Sequence, residues 1–219
     1  MFYDGMGTDW TAVPLAEARG RYDIVAATNN EVELDSLFGD EPEYFHVHHG
    51  DVAAEGPLFL GNAPGEYDDT VYVIDGDLTV NGTLRFCNLD VYTTLHVTGS
   101  VTVTNLVSLW DSCLIVGGAL DVGGLLVTRL TDLGILVVHG PLTAGAWLEL
   151  GGRGLVDLAQ APRAALFGLA GKMDFATGTT VSDAVGAVLP EFVRDDGHGP
   201  TVDAEAVGTA ILEGRRVLR

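Results

Sequence analysis

Between Val47 and Trp147 the chain repeats one phrase five times: mostly apolar residues, a glycine, and apolar residues two, four and eight positions later. The repeated glycines are Gly50, Gly76, Gly99, Gly118 and Gly140. They lie 26, 23, 19 and 22 residues apart. This period is typical of a solenoid, in which each repeat is one supersecondary unit stacked on the next.

Within each copy the apolar residues alternate at period two, which is the period of a β-strand. We therefore expect three inward rows that stack from turn to turn. The row two after the glycine is Val52, Leu78, Val101, Leu120 and Leu142; the row four after it is Ala54, Val80, Val103, Val122 and Ala144; the row eight after it is Leu58, Leu84, Val107, Leu126 and Leu148. Small residues or asparagine six after the glycine predict a corner.

The pattern predicts an all-β fold, a single-stranded parallel β-helix of about five to seven coils with short helical caps at both ends. A leucine-rich repeat would need a fixed asparagine or cysteine and a helical return, and the repeats contain neither. We expect one domain, 1–219. Its predicted parts are an N-terminal cap at 1–45, regular coils at 46–150, and degenerate coils with a helical cap at 151–219.

Two helices are predicted in the flanking segments. Asn30–Gly39 has a capping-box start and a glycine stop, and Asp203–Glu213 has an apolar stripe followed by Gly214. Apolar alternation at Leu155–Leu158 and Lys172–Phe175 predicts one or two degenerate coils before the second helix.

The charge of the chain limits its partners. Its 31 acidic and 11 basic residues give a net charge of −20, which disfavours nucleic acid and anionic membranes and favours a basic protein. No basic start followed by an apolar run is present, so a cytoplasmic location is expected. Cys87 and Cys113 are predicted to be free, largely buried thiols, as expected in a reducing compartment.

The histidines provide the first candidate chemistry. His46 and His48 alternate on one strand and would share a face, as metal ligands can. The repeat aligns both with inward apolar positions, which favours hydrogen-bonded histidines that cover the first coil. His49 and His139 precede repeated glycines and are expected to point outward, too many coils apart to share a metal. No metal site and no cofactor is therefore predicted.

The sequence also lacks the common catalytic patterns: no nucleophile elbow, phosphate loop, dinucleotide fingerprint or metalloprotease motif occurs. Polysaccharide-cleaving β-helices use acid and base groups on an outer face. Asp75, Asp77 and Asp121 are the carboxylates of this chain that could form such a set. Those enzymes carry longer coils with loops that wall a groove. We therefore predict a non-catalytic protein.

An outward surface remains as the candidate binding site. The position three after each glycine gives a row with three threonines, flanked by acidic and amide side chains. The predicted binding residues are Asp51, Glu55, Asp77, Thr79, Asn81, Thr102 and Asp121. Threonine is also a common exposed strand residue, so the row by itself is compatible with a purely structural role.

The cadence of VIDGDLTVNGTL and LIVGGALDVGGLL resembles the bactofilin or polymer-forming class of bacterial β-helices, over roughly residues 47–150. The chain is also similar to bacterial β-solenoid proteins that close on A-x-x-x-G-R-x-V-L-R, matched here by AILEGRRVLR at Ala210–Arg219. The first resemblance implies growth of filaments through open terminal coils. Neither resemblance implies a catalytic residue.

Two functions follow as hypotheses. The first is a non-catalytic, protein-binding β-solenoid that acts as an immunity-type inhibitor of a basic bacterial toxin or a similar partner. The second is a self-assembling scaffold of the bactofilin type, associating through coil ends or lateral faces.

Overall fold

A computed structural model describes residues 9–28, 42–61, 70–168 and 180–219. Its strands are β1 (Thr11–Pro14), β2 (Tyr44–His49), β3 (Val52–Glu55), β4 (Leu58–Leu60), β5 (Thr70–Asp75), β6 (Leu78–Val97), β7 (Val101–Val116), β8 (Leu120–Leu130), β9 (Ile135–Val138), β10 (Leu142–Glu149), β11 (Leu155–Leu158), β12 (Arg163–Gly168), β13 (Val181–Asp183), β14 (Val193–Asp195) and β15 (Pro200–Val202). Its helices are α1 (Leu15–Arg21), α2 (Ile24–Ala27), α3 (Ala184–Ala187) and α4 (Ala204–Leu212), with a 3-10 turn at Pro190–Phe192.

The repeats stack in parallel and in register, which confirms the predicted β-solenoid. Val52 pairs with Leu78, Leu78 with Val101, Val101 with Leu120, and Leu120 with Leu142. The repeats form about five turns. β11 and β12 then pair in parallel with β9 and β10 and continue the solenoid as a degenerate turn. Of the two predicted degenerate segments, Leu155–Leu158 is this β11, and Lys172–Phe175 lies outside the described residues.

Each complete turn has three strand segments. The open face is the segment that follows each glycine, at 52–55, 78–81, 101–104, 120–123 and 142–145. The C-terminal flank is the next segment, at 58–60, 84–88, 106–110, 126–130 and 147–149. The N-terminal flank is the segment before the following glycine, at 46–49, 71–75, 93–97, 113–116 and 135–138.

One apolar core fills the inside of the solenoid and joins all three segments. The rows two and four after the glycine are buried in it as predicted, from Val52 at 6% exposure to Leu142 at 0%. The third predicted row is wrong at Val107 and Leu148. Leu84 pairs with Leu106, and Leu126 pairs with Trp147, so Leu106 and Trp147 are the inward residues.

The physical reason for this correction is the length of the corner. In the third and fifth repeats the chain turns the corner with one residue fewer, and the register shifts between Val80 and Thr83 and between Ala144 and Ala146. Because side chains alternate at period two, a shift of one residue moves a side chain to the opposite side of the sheet. Val107 and Leu148 therefore face outward into a second apolar cluster.

The described helices pack along the flanks of the solenoid, so the helical caps predicted for its two ends are only weakly developed. α4 begins at the N-cap Asp203, ends before Gly214 and packs on the C-terminal flank with Val107, Leu109 and neighbouring residues. α1 and α2 pack on the N-terminal flank. The predicted helix at Asn30–Gly39 lies outside the described residues.

The strands at the start of the solenoid are only partly covered. β1 pairs antiparallel with β2, and Trp10 lies edge-on to Tyr72 at 5.1 Å. Within the described residues β3 and β4 each pair with β6 alone. Among the described residues, the first turn thus has one strand that pairs with β1 and two strands, β3 and β4, with a strand partner on one side only.

Candidate binding face

Alternation of buried and exposed residues separates the open face from the two flanks. Four of the five segments of the open face read VAAE, VTVT, LDVG and LTAG, with every second residue exposed. The flanks contain continuous apolar runs such as ILVV in β9, all of it buried. Strands covered on both sides give such continuous runs, whereas strands with one solvated side alternate.

The chain's own ends cover both flanks. Ala18, Tyr22 and Ile24 from the N-terminal segment pack against the N-terminal flank. Phe192, α4 and the residues that follow it pack against the C-terminal flank. The open face therefore presents the polar surface of the solenoid.

The seven residues predicted to bind a partner all lie on this face or on its glycine corner. Thr79 pairs with Thr102, and Thr102 pairs with Asp121, so these three form one row across neighbouring turns. Asn81 pairs with Glu55, and its Nδ2 donates a hydrogen bond to Glu55 Oε1 at 3.0 Å. Asp51 and Asp77 stand at the corner, one residue before the strand.

A ladder of side-chain acceptors runs along that corner. The N–H of Asp77 donates to Asp51 Oδ1 at 2.9 Å, the N–H of Ser100 to Asp77 Oδ1 at 2.7 Å, and the N–H of Ala119 to Ser100 Oγ at 3.1 Å. The ladder stops at Ala119, whose side chain has no acceptor. The matching residue of the next turn is Pro141, which has no N–H to satisfy. Asp51 and Asp77 thus have a structural role that the sequence did not reveal.

The charge of the open face is uneven along the solenoid. Asp51, Glu55 and Asp77 belong to the first two turns, and Asp121 lies two turns beyond Asp77. Arg163, which pairs with Thr143, is an exposed cation at the far end of the face. The face is therefore acidic at the end where the solenoid begins.

Asp75 does not belong to this face, although it is two residues from Asp77. Its Oδ2 accepts hydrogen bonds from Arg21 Nη2 at 2.6 Å and Tyr22 Oη at 2.9 Å, and lies 3.3 Å from His49 Nδ1. Burial alone would raise the pKa of Asp75, but the bonds from Tyr22 and His49 and the charge of Arg21 together lower it. Burial and Asp75 raise the pKa of Tyr22 to about 12.

This arrangement separates the three carboxylates that were weighed as an acid and base set. Asp75 holds the N-terminal segment to its flank, whereas Asp77 and Asp121 lie on the open face and two turns apart. Turns are separated by about 4.8 Å, so Asp77 and Asp121 lie on the order of 10 Å apart along the axis.

His46 and His48 lie on β2, in the first turn of the solenoid. His46 stacks on Tyr72, with ring centroids 4.9 Å apart, and burial lowers the pKa of its imidazole. His48 Nδ1 lies 3.2 Å from the carbonyl oxygen of Asp9. On the N-terminal flank, His139 Nε2 lies 2.7 Å from the carbonyl oxygen of Ala27.

His96 is the ionisable residue that sequence reasoning missed. It stacks between Val73 and Ile115 on the N-terminal flank and is 7% exposed, and no described residue bonds its Nδ1. Burial, with a smaller effect of His139, lowers its pKa to about 4. The sequence signal was that His96 aligns with apolar residues, Val73 and Ile115, in the neighbouring repeats. The sequence did not show that the N-terminal segment covers the outward side of this row.

Both cysteines are free thiols. Cys113 is buried on the N-terminal flank and Cys87 is half-buried on the C-terminal flank, and burial raises their pKa values to about 12 and about 11. In the described ranges, His, Cys, Asp and Glu side chains do not gather in threes in a way that could hold a metal ion. None of the helices in those ranges has the length and hydropathy that a membrane crossing requires.

The stacking and register define the chain as a β-solenoid. Comparison with protein-family models, curated proteins and solved structures gave no match.

Proposed function

We propose that the chain is a non-catalytic binding protein whose open face takes a basic protein partner, as an immunity-type inhibitor of a basic bacterial toxin would. The observation that carries this proposal is that both flanks are covered by the chain's own ends while the acidic face is exposed.

Electrostatics and rigidity support this function. Four carboxylates on one surface of a chain with net charge −20 speed the encounter with a cationic surface. From the second turn onward the backbone of the face is held by ladders on both sides of each strand, so little conformational entropy is lost when a partner binds. The hydrogen bonds at Asp51 and Asp77 each occupy one carboxylate oxygen and leave the other for a partner's lysine or arginine.

Neutral amide variants test the proposal without breaking the corner ladder. Asp51→Asn, Glu55→Gln and Asp77→Asn keep an acceptor oxygen at each site and remove three charges. Asp195→Asn, Asp196→Asn and Glu213→Gln remove the same charge from exposed positions elsewhere. Affinity capture at low salt should recover one basic protein with the native chain and the control, and lose it with the open-face variant.

Capture that is equal for both triple variants would mean that net charge, and not this face, attracts the protein. In that case the proposal fails.

Self-assembly of the bactofilin type is the second candidate, favoured by β3 and β4, which have a strand partner on one side only in the described residues. Exposed strand edges of this kind can pair with another chain. Light scattering after size exclusion distinguishes the two functions. A monomer or dimer supports the binding protein, and a large polydisperse assembly supports the scaffold.

A further inference from the structure

The segment after α4 forms one wall of a groove that contains none of the seven residues predicted to bind a partner. The groove has a volume of about 480 Å³ and lies between this segment and the corner of the middle turns. Its apolar walls include Leu125, Ala146, Ile211 and Val217. Small-molecule sites commonly have this volume and mainly apolar walls with a few polar groups.

Three arginines line the same groove: Arg215, Arg216 and Arg219. Within the described chain each forms its side-chain hydrogen bonds through Nε alone. The acceptors are the Glu213 carboxylate at 2.8 Å for Arg215, the Leu218 carbonyl at 2.6 Å for Arg216, and the Val188 carbonyl at 2.8 Å for Arg219. These bonds orient the guanidinium groups and leave their Nη atoms available to an anion.

Arg216 and Arg219 differ from the arginines that form carboxylate ion pairs elsewhere in the described residues. Four other arginines pair with carboxylates: Arg21 with Asp75, Arg85 with Glu205, Arg153 with Asp132, and Arg194 with Asp203. Arg216 and Arg219 bond main-chain carbonyls instead, although the chain has 31 acidic residues. Their positive charge is therefore not compensated by a carboxylate ion pair within the described residues.

We propose that this groove binds a small anionic amphiphile, a molecule with one carboxylate-type group on an apolar body. The Nη atoms of Arg216 and Arg219 would bind the anion through charge-assisted hydrogen bonds, and the apolar walls would cover the body. This site is separate from the one proposed for the basic partner, because none of the seven residues predicted to bind that partner lines the groove.

Calorimetry with octanoate tests the site, with octylammonium and acetate as probes that lack the anion or the apolar chain. Native protein should bind octanoate saturably at one site and bind neither control probe. Arg216→Gln with Arg219→Gln should lower octanoate affinity at least tenfold, because two charge-assisted bonds are lost. Arg153→Gln with Arg194→Gln removes the same charge at exposed positions outside the groove and should leave affinity unchanged.

A substitution in the apolar wall of the groove tests the contribution of burial to octanoate binding separately from that of charge. Ala146→Leu fills the groove and should also weaken octanoate binding, with circular dichroism confirming that the solenoid is folded. The proposal is overturned if octanoate does not bind saturably, if it binds both arginine double variants equally, or if octylammonium binds as well as octanoate.

Discussion

The carboxylate of Asp77 accepts a hydrogen bond at 2.7 Å from the backbone N–H of Ser100, which lies one turn further along the solenoid. The same bond joins Asp51 to Asp77 and Ser100 to Ala119. A corner N–H that the main-chain ladder does not satisfy is thus paired by the side chain of the preceding turn. Residues that look like an acidic binding surface in the sequence also hold consecutive turns together.

Asp77→Ala should lower the free energy of unfolding by about 1 kcal/mol, because the exposed Ser100 N–H loses its protein acceptor and bonds to water instead. Asp77→Asn keeps an acceptor oxygen and should cost less than half as much. Urea denaturation of the two variants measures this difference. Equal losses would show that the charge, and not the hydrogen bond, supports the corner.

Val103→Asp should unfold the central turns, because Val103 is 3% exposed and a buried, unpaired carboxylate costs several kcal/mol. Thr102→Asp, one residue earlier on the exposed side, should change stability by less than about 1 kcal/mol. Thermal and urea melts of the pair test which side of the strand faces the core. Similar destabilisation by both substitutions would refute the assigned faces.

The docking of α4 depends on a close approach at Gly208. A Cβ atom at this position would lie 3.2 Å from Val107 Cγ1. Gly208→Leu should therefore destabilise the protein by about 1–3 kcal/mol through overpacking. Thr209→Leu is the matched control on the exposed side of the helix and should leave the urea midpoint nearly unchanged. A stable Gly208→Leu variant would contradict the packing of α4 on the flank.

His96 makes stability depend on pH in a defined window. Its pKa is about 4 in the folded protein and about 6.5 when exposed, so the folded state favours the neutral ring. Stability that is fully present above pH 6.5 should fall as the pH decreases from 6.5 to 4, by up to about 3 kcal/mol. The lowered pKa of Asp75 acts in the same direction but at lower pH, below the ordinary pKa of a carboxyl group.

His96→Leu should reduce this pH dependence, because its neighbours in the column are Val73 and Ile115 and an apolar side chain suits the site. The exposed His198→Leu should leave the dependence unchanged. Urea midpoints measured between pH 7 and pH 4.5 make the comparison. If the urea midpoints of both variants depend on pH as steeply as those of the native protein, a group other than His96 causes the loss of stability.

The sequence predicted the solenoid because the repeated glycines keep their spacing to the inward valines and leucines. It misassigned Val107 and Leu148 because the corner is one residue shorter in two repeats, and spacing alone does not show how many residues a corner uses. It placed all seven candidate binding residues on the open face or its corner, because alternation of apolar and polar residues indicates that one side of a strand faces solvent. It predicted the helix at Asp203–Glu213, which is α4, but not the flank on which α4 packs, since an apolar stripe fits a flank as well as an end.

The sequence predicted where the candidate binding residues lie better than it predicted what they do in the structure. Asp51 and Asp77 were read as surface charges, whereas their hydrogen bonds to the next turn depend on which corner N–H groups the main chain leaves unpaired. His96 and the Asp75 contacts involve residues distant in sequence, such as Tyr22. Such contacts arise from folding of the N-terminal segment onto its flank, which no local pattern encodes.

The proposed function requires the acidic open face to bind a basic protein. The most direct test is the association rate of the captured partner, measured against ionic strength for native protein and for Asp51→Lys with Glu55→Lys and Asp77→Lys. We predict that charge reversal slows association at least tenfold at low salt and flattens its salt dependence, because steering by this face is lost. An unchanged association rate and salt slope would contradict the account.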